Sequence, residues 1–246
     1  RPIYLTPSDS NLFISEFGNE KGRLSEFNIE TLGYTSASTL PGAYKSIIFD
    51  YDKDGNDEIL VMFAQALEGI YVREVDDPKK SFVPVLSFTP EWGVSDMDTL
   101  DVNNDGWTDL VVVNGDNADY SIMPKAYHGV RIYLNNKKGR FEETYSFPLH
   151  GATQVQTLDA NGDGFNDILV GSFFAIDKKD RLMLLLSDGD RNKINYTPYR
   201  FLEAQEGRWM VMNTGDIDGD GDKDAIIGSF EIVNQSGINE KGEKGQ

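Results

Sequence analysis

The sequence predicts an all-β chain built as a β-propeller of four-stranded antiparallel blades. Two observations carry this expectation. One acidic loop pattern recurs four times, as DYDKDGNDEILVM (50–62), DVNNDGWTDLVVV (101–113), DANGDGFNDILVG (159–171) and DIDGDGDKDAIIG (216–228). The copies begin 51, 58 and 57 residues apart, and self-similarity at such a period marks propellers and solenoids. Between loops, each period holds about four short runs rich in β-branched and aromatic residues and no convincing amphipathic helix, which is the content of one blade.

The elements follow in chain order. Runs 12–17 (LFISEF) and 23–29 (RLSEFNI), joined by GNEKG, read as the outer pair of a half blade spanning 12–29. A blade at 43–88 follows, with strands at 44–49, 58–63, 69–75 and 82–88. The next, at 94–147, has strands at 94–100, 109–114, 127–135 and 140–147, the last two joined by the turn NNKKGRF. A third, at 151–202, has strands at 151–158, 167–173, 181–187 and 196–202. Strands 209–215 and 224–233 form the inner pair of a half blade at 208–233. The repeats thus occupy 1–236, and the Gly/Lys/Glu-rich segment 237–246 reads as a flexible tail. Two arrangements fit. The two halves can pair and close a four-bladed ring, or the chain is part of a larger propeller with four to five blades visible. An open arc exposes unpaired strand edges.

Each loop sets acidic or amide oxygens at positions 1, 3 and 5, glycine at 6 and a carboxylate at 9. Alternate side chains of a tight loop converge on one point, and glycine permits the turn because it lacks a Cβ. The side-chain ligands would be Asp50, Asp52, Asp54 and Glu58; Asp101, Asn103, Asp105 and Asp109; Asp159, Asn161, Asp163 and Asp167; and Asp216, Asp218, Asp220 and Asp224. Ca²⁺ takes six to eight such oxygens, whereas Mg²⁺ demands near-ideal octahedral geometry. The loops offer no thiolate or imidazole, so zinc and copper fit poorly. Up to four Ca²⁺ ions are expected, one per loop. Bare Asp/Gly turns are the alternative, since these residues form turns without any metal. An EF-hand is excluded: position 12 holds Val61, Val112, Val170 or Ile227 in place of glutamate, and strands follow the loops.

Composition narrows the function classes. Formal net charge is −18, from 23 basic and 41 acidic residues. Fourteen of those acids are loop ligands, and four bound Ca²⁺ would leave −18 + 8 = −10. Such a chain lacks the basic footprint of a nucleic-acid binder. It has no cysteine, hence no disulfide framework, and no apolar run long enough to span a membrane. Weak oxygen-only Ca²⁺ sites fill at extracellular concentrations, which points to a secreted, periplasmic or cell-surface location.

The loops and the strands after them, such as DLVVV and DILVG, resemble the FG-GAP/VCBS-type repeats of integrin α-subunits and bacterial surface proteins. The resemblance covers residues 12–233. It implies Ca²⁺ in the loop between the first two strands of each blade, and a ring of seven blades. Two departures stand out: Glu58 replaces Asp at position 9, and Asn103 and Asn161 lower the charge of their loops. The segments NGDNADYS (114–121), KAYHGVRIYLN (125–135), HGA (150–152) and GRWMVMNTGDIDGDGD (207–222) are similar to bacterial VCBS-repeat proteins of unassigned role. That similarity implies a bacterial, exported origin.

The chain matches no Ser/His/Asp, HExxH, phosphate-loop or GxSxG motif. A polar and aromatic cluster lies between the second and third strands of its blade, at Asn114, Asp116, Asn117, Asp119, Tyr120, Lys125, Tyr127 and His128. Within it, Asp116, Asn117, Asp119, Tyr120, Lys125 and His128 are candidate ligand contacts, with an ordinary polar loop as the alternative. Trp92, Trp107 and Trp209 suit either sugar stacking or blade packing. The reading that follows is a calcium-stabilised propeller serving as a non-catalytic binding, adhesion or assembly module, with a protein or carbohydrate ligand at the cell surface. The rivals are the propeller of a carbohydrate-active enzyme such as a polysaccharide lyase, and a subunit of a larger assembly.

Overall fold

Period-two alternation of side chains organises the whole chain. The structure is a computed structural model that describes residues 2–18, 22–64, 67–115 and 123–230. Among the described residues it contains eighteen strands. The first sheet is β1 (Pro2–Ser8), β2 (Asn11–Glu16), β3 (Arg23–Asn28) and β4 (Gly33–Ser38). The second is β5 (Ala43–Phe49), β6 (Glu58–Phe63), β7 (Gly69–Glu74) and β8 (Val83–Ser87). The third is β9 (Val94–Leu100), β10 (Asp109–Asn114), β11 (Gly129–Asn135) and β12 (Phe141–Pro148). The fourth is β13 (Ala152–Leu158), β14 (Asp167–Ser172), β15 (Leu182–Ser187) and β16 (Tyr196–Arg200). A two-stranded sheet, β17 (Trp209–Gly215) and β18 (Asp224–Ser229), ends the described chain. Within every sheet, sequential strands pair antiparallel, the meander of a propeller blade.

The second strand of each middle blade is the centre of packing. Strands β6, β10 and β14 are buried along their full length, because each is sandwiched between two neighbouring blades. Successive side chains then serve opposite cores. Ile59, Val61 and Phe63 pack with Phe13 and Leu24 of the first blade, whereas Leu60 and Met62 pack with Met97, Leu110 and Val112 of the third. Val111 and Val113 face Val155, Ile168 and Val170 of the fourth blade. Leu169, Leu158 and Leu182 face Met212, with Ile227 packed alongside. The runs DEILVMF, TDLVVV and NDILVG are therefore continuous apolar strands rather than alternating ones.

Two expectations change at the ends. The half blade anticipated at 12–29 is a complete blade, with β1 inside and β4 outside the two strands identified from sequence. Both hid for physical reasons. β1 carries Pro2 and Pro7, tolerated because β1 pairs with β2 along one edge only, and β4 (GYTSAS) is a polar outer strand. The four-bladed alternative required 12–17 and 224–233 to share a sheet. Instead β2 pairs with β1 and β3, and β18 pairs with β17. Residues 231–246, including the end of the last anticipated strand and the tail, lie outside the described residues. The first strands β1, β5, β9, β13 and β17 sit side by side around the axis. Every acidic loop emerges where such a strand ends, so four loops crowd one end of the propeller.

Candidate metal centres

The four loops share one hydrogen-bonded cage. In each, the position-1 carboxylate accepts the N–H of glycine 6: Gly55 to Asp50 at 3.0 Å, Gly106 to Asp101 and Gly164 to Asp159 at 2.8 Å, and Gly221 to Asp216 at 3.1 Å. The position-3 oxygen accepts the N–H of residue 5, and the position-5 carboxylate accepts the N–H of residue 7. The carboxylate at position 9 folds back onto the N–H of residue 2. Glycine 6 is left-handed throughout, with φ of 93°, 83°, 84° and 99°. Position 4 is left-handed too, and sequence reasoning missed it because only Gly162 and Gly219 are glycines there. Lys53 (φ 59°) and Asn104 (φ 52°) hold the same angle at some cost.

Convergence differs between loops. Carboxylate oxygens of Asp50, Asp52 and Glu58 lie within 4.8 Å of one another, and so do those of Asp216, Asp218 and Asp224. Two oxygens bound to one Ca²⁺ at about 2.4 Å are at most about 4.8 Å apart, so these triads fit such a shell. Asp54 and Asp220, at position 5, instead turn toward the N–H of Asn56 and Asp222. In the second and third loops the Asn at position 3 donates to position 5, Asn103 to Asp105 at 3.3 Å and Asn161 to Asp163 at 2.9 Å. Lys137 also reaches Asp105 at 2.9 Å. The chemistry of the donors, all oxygen, suits a hard cation in every loop.

Electrostatics agree with that chemistry. Burial pushes the Glu58 carboxyl up to about 7 and Asp109 up to about 6, and the neighbouring loop carboxylates add to the rise. Asp167 is raised in the same way. At the exposed end of the third loop, the N–H groups of Gly164, Gly162 and Asp163 hold Asp159 below its ordinary value. At three of the four position-9 residues burial thus disfavours the charged form, with Glu58 3% exposed, Asp109 1% and Asp167 0%.

Adjacent loops are joined by asparagines that the sequence pattern did not single out. Asn135 donates its backbone N–H to Asp109 at 2.8 Å and its side-chain amide to Tyr51 O at 2.7 Å, tying the first loop to the second. Asn104 reaches Gly164 O at 2.9 Å, and Asp101 N–H reaches Asn166 Oδ1 at 3.2 Å, tying the second loop to the third.

The second candidate cluster divides. Asp116, Asn117, Asp119 and Tyr120 lie outside the described residues. Lys125 is in reach of Glu91 O at 3.5 Å. His128 is buried, stacked on His150 with ring centroids 5.2 Å apart, and neither of its nitrogens has a hydrogen-bond partner among the described residues. Burial pulls its pKa down to about 4. It packs between blades rather than presenting itself at the surface. Trp92 is likewise a packing residue, with Arg131 over its ring at 4.3 Å and Tyr127 stacked at 5.6 Å.

Comparison with known proteins gives three findings. The profile of the FG-GAP-like repeat matches twice, at residues 101–170 and 159–227, together 127 of 246 residues. Integrin alpha-8 of Mus musculus is 27% identical over 146 residues, covering 53% of this chain and 14% of that protein. Integrin alpha-3 of Mus musculus is 36% identical over 83 residues, covering 30% of this chain and 8% of that protein. The matches thus span a small part of the length of those relatives. Among solved structures, an endo-arabinase from Bacteroides thetaiotaomicron aligns with a TM-score of 0.46 at 14% identity, covering 95% of each chain.

Proposed function

The chain belongs to the FG-GAP-like repeat family, and from that premise we propose that it is a calcium-stabilised propeller acting as a binding or assembly module in an extracellular setting. The observation that carries this reading is the cage repeated four times, with carboxylates closing on one point in the first and last loops. The side chains at positions 1, 3, 5 and 9 would hold the ions, which supply positive charge where the chain gathers negative charge. Positions 1 and 9 fix the loop to the start of the second strand. The metal therefore acts on shape. Of the acids that face the propeller axis, Asp96 accepts from Lys45 Nζ and from the N–H groups of Met97 and Val155, and Asp98 accepts from the N–H and hydroxyl of Thr157, so both carboxylates are engaged in structural bonds. A protein or carbohydrate ligand is the partner class proposed, as the similarity to integrin α-chains favours recognition over turnover.

Calorimetric titration of the chelated chain with Ca²⁺ and Mg²⁺ tests the metal reading, with anomalous scattering to place the ions. Saturable Ca²⁺ binding, tighter than Mg²⁺ and lost stepwise in Asp50→Ala and Asp216→Ala, is the expected result. Absence of any bound divalent ion in millimolar Ca²⁺ overturns it.

A further inference from the structure

Three adjoining cavities follow the axis along which the first strands converge. The largest, about 290 Å³, is bounded by Tyr4, Lys45, Asp96, Gln154 and Met212. A second, about 260 Å³, shares Tyr4, Lys45, Gln156 and Asn213 with it and extends to Ile48 and Asp98, toward the acidic loops. A third, about 200 Å³, shares Tyr44, Gln154 and Met210 with the first and is walled by Phe17, Phe173 and Phe174 at the opposite end. The larger two are each close to the lower limit of ligand pockets, about 300 Å³.

The lining has a definite character. Lys45 and Asp96 are 6% and 4% exposed and meet at 2.8 Å, so the one cation and its partner acid cancel. Burial opposes charge on Lys45, but Asp96, Tyr4 and Asp98 together outweigh it and hold the ammonium above its ordinary value. Gln154 and Gln156, two residues apart on β13, each donate from Nε2 to their own strand, to Thr153 O and Val155 O at 2.9 Å. Gln156 Oε1 also accepts the Thr214 hydroxyl at 3.4 Å, which leaves each amide a second N–H and at least one acceptor site for a guest. Rings and thioethers complete the wall: Tyr4 lies 5.2 Å from Lys45 Nζ, and Met210 and Met212 face the same space.

We propose that this axial well binds a neutral, hydroxyl-rich small molecule of the mono- or disaccharide class. Paired donor and acceptor amides match vicinal hydroxyls, and the aromatic and methionine walls match the C–H faces of a sugar ring. In the largest chamber the charges of Lys45 and Asp96 cancel, and Asp98 in the adjoining one is already engaged by the N–H and hydroxyl of Thr157, so a charged guest would surrender hydration without finding an unengaged counter-charge. The site is separate from the calcium loops and deepens the binding role proposed above by naming the ligand class.

The test is saturation-transfer NMR and calorimetry on the calcium-loaded chain, with neutral monosaccharides and disaccharides, a uronic acid and an amino sugar. At least one neutral sugar should bind saturably, with the uronic acid and amino sugar weaker. The double variant Gln154→Ala, Gln156→Ala should weaken binding by about tenfold or more, with melting temperature and calcium titration unchanged. No saturable binding across the neutral panel at about 10 mM, preference for a charged sugar, or equal binding by the double variant overturns the proposal. Calcium titrations on the same samples separate the readings. Normal calcium binding without sugar binding removes the axial well and leaves the metal loops standing.

Discussion

Removing divalent ions should cost this fold a large share of its stability. An ion that binds only the folded chain contributes RT ln(1 + [L]/Kd), about 1.4 kcal/mol per site at tenfold excess over Kd. Four loops built on one cage would then contribute about 5–6 kcal/mol, comparable with the whole stability of many domains. For a chain of this length, 1 kcal/mol moves the melting temperature by about 2–4 °C, so chelation should lower it by about 10–20 °C. The loops should empty in order. The second and third lose affinity first, because Asn103 and Asn161 replace carboxylates and Lys137 already occupies Asp105. Differential scanning calorimetry in about 1 mM Ca²⁺ and then in EDTA reads the total. Stepwise back-titration reads the order. A melting temperature unmoved by EDTA, or restored equally by Mg²⁺, refutes the reasoning.

Three further outcomes are expected. Lys45→Met strands the Asp96 carboxylate in a buried place and should cost about 3–5 kcal/mol in urea unfolding, with part regained in Lys45→Met, Asp96→Asn; a single variant as stable as the parent would contradict the pairing. Asn135→Ala removes the amide that satisfies Tyr51 O and should cost about 1–3 kcal/mol, and a neutral result would mean the first two loops are not tied through it. His128 is lowered from 6.5 to about 4, so the unfolded chain binds the extra proton between these values. Its contribution is present above pH 6.5 and lost as pH falls toward 4. His128→Phe should therefore remove on the order of 2–3 kcal/mol of acid sensitivity in that window, and identical pH slopes for the two chains would count against it.

The sequence made the loops and second strands plain because both are strict patterns. Positions 1, 3, 5, 6 and 9 repeat without insertion, and the apolar run after each of the first three loops has one destiny, burial between two blades. Position 4 escaped because Lys53 and Asn104 conceal the left-handed angle that Gly162 and Gly219 display. Strands β1 and β4 escaped because edge strands tolerate proline and polar runs. The Lys45–Asp96 pair was not legible at all. The stretches AYKSIIF and VSDMDTL look like half-exposed strands, and nothing in their alternation says that the polar face turns inward to the axis. Only the radial arrangement brings together residues 51 positions apart. The His128–His150 contact is similar, since each histidine alone reads as a polar loop residue.

The acidity of the chain also has a use beyond its loops, and the two uses are coupled. Inner strands of neighbouring blades belong to different sheets, so their facing N–H groups have no ladder partner and must be satisfied otherwise. On β9, Asp96 accepts the N–H of Val155, and Asp98 accepts the N–H of Thr157 at 2.8 Å and its hydroxyl at 3.1 Å. Alternate carboxylates of one blade thus satisfy alternate amides of the next, a bridge made by side chains where a sheet would use backbone. The same strand β9 ends at Leu100 and enters the loop at Asp101, while β13 ends at Leu158 and enters at Asp159. Strands β9 and β13 are therefore held to each other at their middles by carboxylate bridges, and each is held at its end by a loop cage. A loop that relaxes without its ion frees the end of the strand that carries the bridges, so metal loss at one loop should loosen the junction with the following blade as well as its own turn.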